Sequence, residues 1–255
     1  ADVLAVNPYA STSGALTFDR WQHAAVVGDL VRASGSHLGA VIDPDGEHIT
    51  VVDDAGHVLS DNEALMALLT LVLATTDKPR IAVPVSVSRA VEDVCHQAGA
   101  EIVWTKLSIA HLMEVCSSED ITFGASQEGG YIFPDFLPAF DATATLVNLL
   151  ALLAQTGLKL SKLVAQQTRV HIAHETVVTP WEQKGMVMRT LMERARSDRE
   201  LVLVDGVKVV YDDGWSLVLP DPEEPVTHVW AEAASDGEAR TLAQEYARRI
   251  RQLLH

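Results

Sequence analysis

The chain has 255 residues, 48% of them hydrophobic, and a formal charge of −16. That size and apolar content allow more than one core, while the acidity leaves no basic stripe for gripping nucleic acid, and no apolar run approaches the ~20 residues that span a bilayer. Cys95 and Cys116 are too few for a disulfide framework or a zinc site, so they read as reduced core thiols in a cytoplasmic setting.

Ala1-Asp2-Val3 lacks a basic n-region, and an apolar run opens almost at once, as in a piece of a longer polypeptide. Val3 to Val6 reads as a short strand, and Ser11-Thr12-Ser13-Gly14 in the loop after it as an ordinary polar turn. Trp21, Ala24, Val27, Leu30 and Val31 recur at helical spacing and predict a helix over 18–33. Strands at 38–42 and 49–52 flank the turn Asp43-Pro44-Asp45-Gly46-Glu47-His48, and Asp61 is placed to cap a helix over about 63–73. Thr75 to Pro79 reads as a linker. A strand at 80–85, helices at 88–98 and 109–116, strands at 101–104, 121–123 and 131–133, and a long helix at 142–156 follow. This alternation predicts a mostly parallel sheet covered on both faces. From about residue 166 the rhythm becomes antiparallel, with strands at 201–204, 207–211, 216–219 and 227–233, one helix within 178–196 and an amphipathic closing helix at 237–254. The fold class is α/β: an incomplete unit over 1–74, a fuller one over 75–165, and an α+β unit over 166–255.

The carboxylates of Asp43, Asp45 and Glu47 alternate and can converge on one centre, as a hard cation such as Mg²⁺ requires. Asp, Pro and Gly are equally ordinary turn residues, so an acidic hairpin turn explains the same segment. His171 and His174 lie three apart in a stretch that reads as a strand, which sets them on opposite faces and argues against a metal pair.

Two segments carry a family resemblance. Gly35 to His48, Gly-Ser-His-Leu-Gly-Ala-Val-Ile-Asp-Pro-Asp-Gly-Glu-His, resembles the metal loop of the phosphohexomutases, G-A-D-L-G-x-x-x-D-G-D-G-D-R. Phe123 to Phe136, Phe-Gly-Ala-Ser-Gln-Glu-Gly-Gly-Tyr-Ile-Phe-Pro-Asp-Phe, is similar to that family's sugar-recognition stretch, F-G-G-E-x-S-G-H-x-x-F-P-D-F. Order and spacing agree over nearly the whole chain. The resemblance, to a family that includes phosphomannomutase and phosphoglucomutase, implies two three-layer α/β/α domains, the first incomplete, and an α+β domain. In family terms these are part of domain two, then domains three and four. Nothing corresponds to domain one, whose T-x-S-H-N-P serine carries the phosphoryl group. The resemblance therefore implies no catalytic residue in this chain.

The implied binding residues depart from the pattern in a consistent direction. Asp43 and Asp45 match the family's metal aspartates, Glu47 replaces the third with a longer arm, and His48 replaces an arginine, which implies at most weak Mg²⁺ binding. In the sugar-type loop Ser126 and Glu128 stand as if exchanged, and the family histidine is Gly130. The family's Thr-Lys pair survives as Thr105-Lys106, which makes Lys106 a candidate phosphate contact, while a solvated surface lysine explains it equally well. The family's phosphate loop, R-P-S-G-T-E-P-x-x-R, is here Leu219 to His228: Leu219 and His228 replace its arginines, and Asp221, Pro222 and Glu223 replace Ser-Gly-Thr. Phosphate needs N–H donors, hydroxyls and guanidinium, so this loop is not expected to bind it.

The expected function is a degenerate phosphomannomutase-like module of a larger sugar-nucleotide enzyme. The comparison is with the C-terminal region of mannose-1-phosphate guanylyltransferase fusion proteins. Its partners would be the upstream domains of the same polypeptide and a hexose phosphate or sugar nucleotide, with a role in assembly or sensing. The alternative is the C-terminal part of an active phosphomannomutase or phosphoglucomutase. The sequence does not separate a purely structural, homo-oligomeric module from the first reading.

Overall fold

A computed structural model describes residues 2–5, 18–195 and 200–254. Residues 2–5 carry no regular structure, so the strand expected from Val3 is not formed there, and the turn at Ser11 to Gly14 lies outside the described residues. Helix α1 (Arg20–Ser34) begins at Asp19, whose carboxylate accepts from the backbone N–H groups of Trp21 and Gln22, and ends at Gly35 in the left-handed region. It packs on an antiparallel hairpin of β1 (Gly39–Ile42) and β2 (Ile49–Val52). A Cβ at Gly39 would lie 2.4 Å from Val27, so only glycine lets the helix approach this closely.

Helix α2 (Asp61–Thr75) is capped by Ser60, not by Asp61 as the sequence suggested. Ser60 accepts from the Glu63 N–H and the Glu63 carboxylate accepts from the Ser60 N–H, a complete capping box. Asp61 is thereby left for another partner. Eight of the helix's residues are buried, as expected of a helix that is apolar all round. One continuous core joins Ile49 and Val51 of the hairpin, α2, and Ile81, Val83 and Phe123 of the next sheet.

That sheet runs β4-β3-β5-β6, with β3 (Arg80–Pro84) parallel to both β4 (Glu101–Thr105) and β5 (Phe123–Ala125), and β6 (Tyr131–Ile132) antiparallel to β5. Ile81 and Val83 face α2 and helix α3 (Arg89–Ala98), whereas Ala82 faces Leu112, Val115 and Cys116 of α4 (Ile109–Ser118). Burial on both faces explains why β3 is apolar rather than alternating. Helix α5 (Ala142–Thr156) follows, and the six-residue α6 (Leu160–Ala165), unforeseen in the sequence, packs against α2.

The remainder is an all-antiparallel sheet in the order β7-β11-β10-β9-β8. Its strands are β7 (Ile172–Val178), β8 (Leu201–Val202), β9 (Val207–Tyr211), β10 (Gly214–Pro220) and β11 (Val226–Glu232). Helices α7 (Trp181–Ala195) and α8 (Asp236–Leu253) cover one face through Val187, Leu191, Tyr246 and Ile250. Trp215 and Leu217, on the other face, pack on Val85, Trp104 and Leu107 beside the four-stranded sheet. No helix among the described residues is long and apolar enough to cross a membrane.

Candidate functional site

The acidic loop and the glycine loop meet. His48 bridges Gly130, and the Ile49 N–H donates to the Gly129 carbonyl at 3.0 Å. Asp43 is turned into its own loop: Oδ1 accepts from the N–H groups of Glu47 (2.9 Å) and His48 (3.2 Å), and Oδ2 lies 3.0 Å from His48 Nδ1. Burial pushes its pKa up, but the hydrogen bonds from His48 and Glu47 outweigh that and hold it below the ordinary value. Asp45 and Glu47 are exposed. Among the described residues no group of three or more His, Cys, Asp or Glu side chains can hold a metal ion. The Asp43 carboxylate is turned to its own loop's N–H groups and to His48, while Asp45 and Glu47 face solvent.

The sugar-type loop is likewise satisfied from within. Ser126 Oγ accepts from the N–H groups of Glu128 (3.3 Å) and Gly130 (3.2 Å), while the Glu128 side chain is exposed. Gly130 answers to packing: a Cβ there would lie 2.8 Å from the Phe140 ring. A histidine cannot occupy the position while Phe140 does. Sequence reasoning missed the clamp beneath this loop. Arg20 donates to the Glu128 carbonyl at 3.0 Å and pairs with Asp61 at 2.6 Å. Burial raises the Asp61 pKa against the opposing pull of Arg20. The two residues are 41 positions apart, and no local pattern links them.

Lys106 stands exposed just beyond β4, its N–H donating to His111 Nδ1 at 3.3 Å. Parallel α/β sheets bind ligands beyond the carboxyl ends of their strands, and here that end is filled by the C-terminal sheet. The Lys208 ammonium donates to the Val85 carbonyl at 2.7 Å and lies over the rings of Trp215 (4.4 Å) and Trp104 (5.3 Å). Asp205 accepts from the Leu107 N–H at 3.0 Å. Glu232 accepts from Ser88 Oγ (2.6 Å), the Arg89 N–H (2.9 Å) and Trp215 Nε1. Its carboxylate thus sits at the start of α3, the place at which a helix attracts anions. Burial brings the Lys208 pKa down to about 8 despite the nearby Glu232 and Glu92.

In the last loop, Leu219 of β10 pairs with His228 of β11. Asp221 Oδ1 accepts from the N–H groups of Glu223 and Glu224, each at 2.7 Å, and Oδ2 lies 3.0 Å from His228 Nε2. The His228 ring and these amides lower the Asp221 pKa to about 2. Nδ1 of His228 meets His174 Nε2 at 3.0 Å, and the His174 ring stacks on Trp230. Burial, then the neighbouring His228, lowers the His174 pKa. His171 instead pairs with Asp236 at 2.7 Å, so the two histidines read together in the sequence have separate partners. Glu223 is exposed.

Residues 61–170 match the family model for the phosphoglucomutase/phosphomannomutase α/β/α domain III. That stretch is similar to a phosphohexomutase domain III. A probable phosphoglucosamine mutase from Methanopyrus kandleri is 32% identical over 222 residues, covering 87% of this chain and 49% of its own length. A phosphoglucomutase/phosphomannomutase family protein from Burkholderia thailandensis shares the fold with a TM-score of 0.74 at 22% identity, over 90% of this chain and 49% of that one. N-acetylphosphoglucosamine mutase from Aspergillus fumigatus, solved with GlcNAc-6P and magnesium, gives a TM-score of 0.59 at 16% identity, covering 84% and 52%. The chain spans about half the length of the curated relatives it matches. The phosphohexomutase fold thus extends on both sides of domain III, and in the family match α2 counts with that domain.

Proposed function

We propose that this chain is a non-catalytic phosphohexomutase-like module of a larger sugar-nucleotide enzyme of the mannose-1-phosphate guanylyltransferase type, serving assembly or the sensing of a sugar phosphate. Its parts would be a partial domain two over 1–74, domain three over 75–165 and domain four over 166–255. Its partners would be the upstream domains of the same polypeptide. The observation that carries this reading is Asp221. In the loop aligned with the family's phosphate cradle, a carboxylate already holds the N–H donors that a phosphate would need. The apolar cores around it are intact.

The second reading is the C-terminal part of an active mutase, which would draw a phosphoserine domain and Mg²⁺ chemistry from elsewhere in the protein. It is favoured by the 32% identity to a probable phosphoglucosamine mutase. The acidic loop speaks against it, because Asp43 is committed to His48. The purified chain is expected to convert no mannose 1-phosphate to the 6-phosphate in the presence of Mg²⁺. Turnover above an enzyme-free control would overturn the first reading in favour of the second.

A further inference from the structure

Asp221 does more than cap a turn. Two successive backbone N–H groups and an imidazole nitrogen converge on its two oxygens, and that is the donor set a phosphate or sulfate oxygen would take. The frame around the carboxylate does not depend on it. Lys184, 8% exposed, sends its ammonium to the carbonyls of both Asp221 and Glu224. The Asp221 N–H donates to the Val226 carbonyl at 3.0 Å, and the Thr179 N–H to the Pro225 carbonyl at 2.7 Å. On the far side, His174 engages Nδ1 of His228 while stacked on Trp230, which keeps Nε2 turned to the loop.

The same arrangement recurs. In the acidic loop Asp43 gives one oxygen to two N–H groups and the other to His48. At the start of α3 the Glu232 carboxylate takes the Ser88 hydroxyl and the Arg89 N–H. In all three places an internal carboxylate accepts the donors that converge there.

We propose that loop 219–228 is autoinhibited by its own carboxylate: Asp221 fills an oxyanion seat that a phosphomonoester would otherwise take, and its removal reopens that seat. This rests on the alignment used for the functional reading, and between the two roles named there it favours assembly over sensing at this loop. The phosphate is withheld by occupancy, not by loss of donors.

The test follows the backbone amides of Glu223 and Glu224 by NMR in the full 255-residue chain, titrated with inorganic phosphate at neutral pH. Wild type is expected to show no saturable shift. Asp221→Ser is expected to bind at those amides at least about tenfold more tightly than wild type. Saturable binding at these amides in wild type as strong as in Asp221→Ser overturns the proposal. So does an unresponsive Asp221→Ser whose loop amides keep the dispersion seen in wild type.

Should the variant lose the loop, the carboxyl carbon of Asp221 decides in wild type and His228→Gln. The occupied seat requires titration near 2 in wild type, moving upward in His228→Gln. An ordinary value in wild type overturns the proposal. Mutase turnover by the purified chain would sink the functional reading and leave these amide and carboxyl readouts to judge the seat separately.

Discussion

Glu232 and Asp221 are both half-buried carboxylates that accept backbone N–H donors, yet their partners sit at different depths. Glu232 lies in the seam between the C-terminal sheet and α3, among Trp215, Ser88 and Arg89, with the Lys208 ammonium nearby. Asp221 lies in an exposed loop whose shape is kept by Lys184. Similar hydrogen bonds then have different consequences. In the seam the Ser88 and Trp215 side chains are buried, so removing their shared acceptor strands them. In the loop, water or a dissolved anion can step in. The seam governs how the two sheets stay together, and the loop governs what can bind.

The largest expected effect comes from breaking the seam. Glu232→Ala leaves the Ser88 hydroxyl, the Arg89 N–H and the Trp215 indole N–H without their acceptor. The expected cost is about 3 kcal/mol, within the range for stranding buried partners. It would be read as a lower urea midpoint at unchanged m-value. A midpoint equal to wild type would mean that water reaches the seam and that the contrast with Asp221 is false.

Lys208 sharpens the comparison through pH. Its pKa is down to about 8 in the folded chain against an ordinary 10.5. Below pH 8 both states hold the proton and the folded state bears the whole penalty of a buried charge. Between about 8 and 10.5 the folded state releases the proton first, so stability rises with pH; above 10.5 the penalty is gone. The rise from pH 7 to 10 is about 2 kcal/mol. Comparing urea midpoints of wild type and Lys208→Met across that window isolates it from other titrations, and parallel curves would refute it.

The scaffold was far more legible than these contacts. The strand–helix alternation from residue 80 to 156 and the antiparallel rhythm after 166 are local patterns, and the elements lie within a few residues of where those patterns put them. The misses have local causes. Helix α6 has six residues and no side-chain cap, so periodicity had nothing to register. The cap of α2 moved to Ser60 because Glu63 completes a capping box with it. Strand β8 stops at Val202, and Asp205 then reaches the Leu107 N–H. At the candidate site the sequence located the loops but not what closes them. Asp43 with His48 and Asp221 with His228 are near neighbours, and only geometry shows that each pair is a closed contact. Glu232 with Ser88 is separated by 144 positions and Lys208 with Val85 by 123, so the seam had no sequence signal at all.

The smallest stability effect is expected at Asp221. Its hydrogen bonds lower its pKa to about 2, so the stability it supplies is present above the ordinary carboxylate value of 3.8 and is lost only as pH falls through 2. The Asp221 carboxylate is partly covered, but Glu223 and Glu224 are exposed, so water can hydrate their amides once the carboxylate is removed. Asp221→Ser should therefore keep a urea midpoint close to wild type at neutral pH, well above that of Glu232→Ala in the same buffer. A drop as large as that of Glu232→Ala would show that Asp221 supports the fold instead of guarding the loop. The two carboxylates would then be structural in the same sense, and depth would not be what separates them.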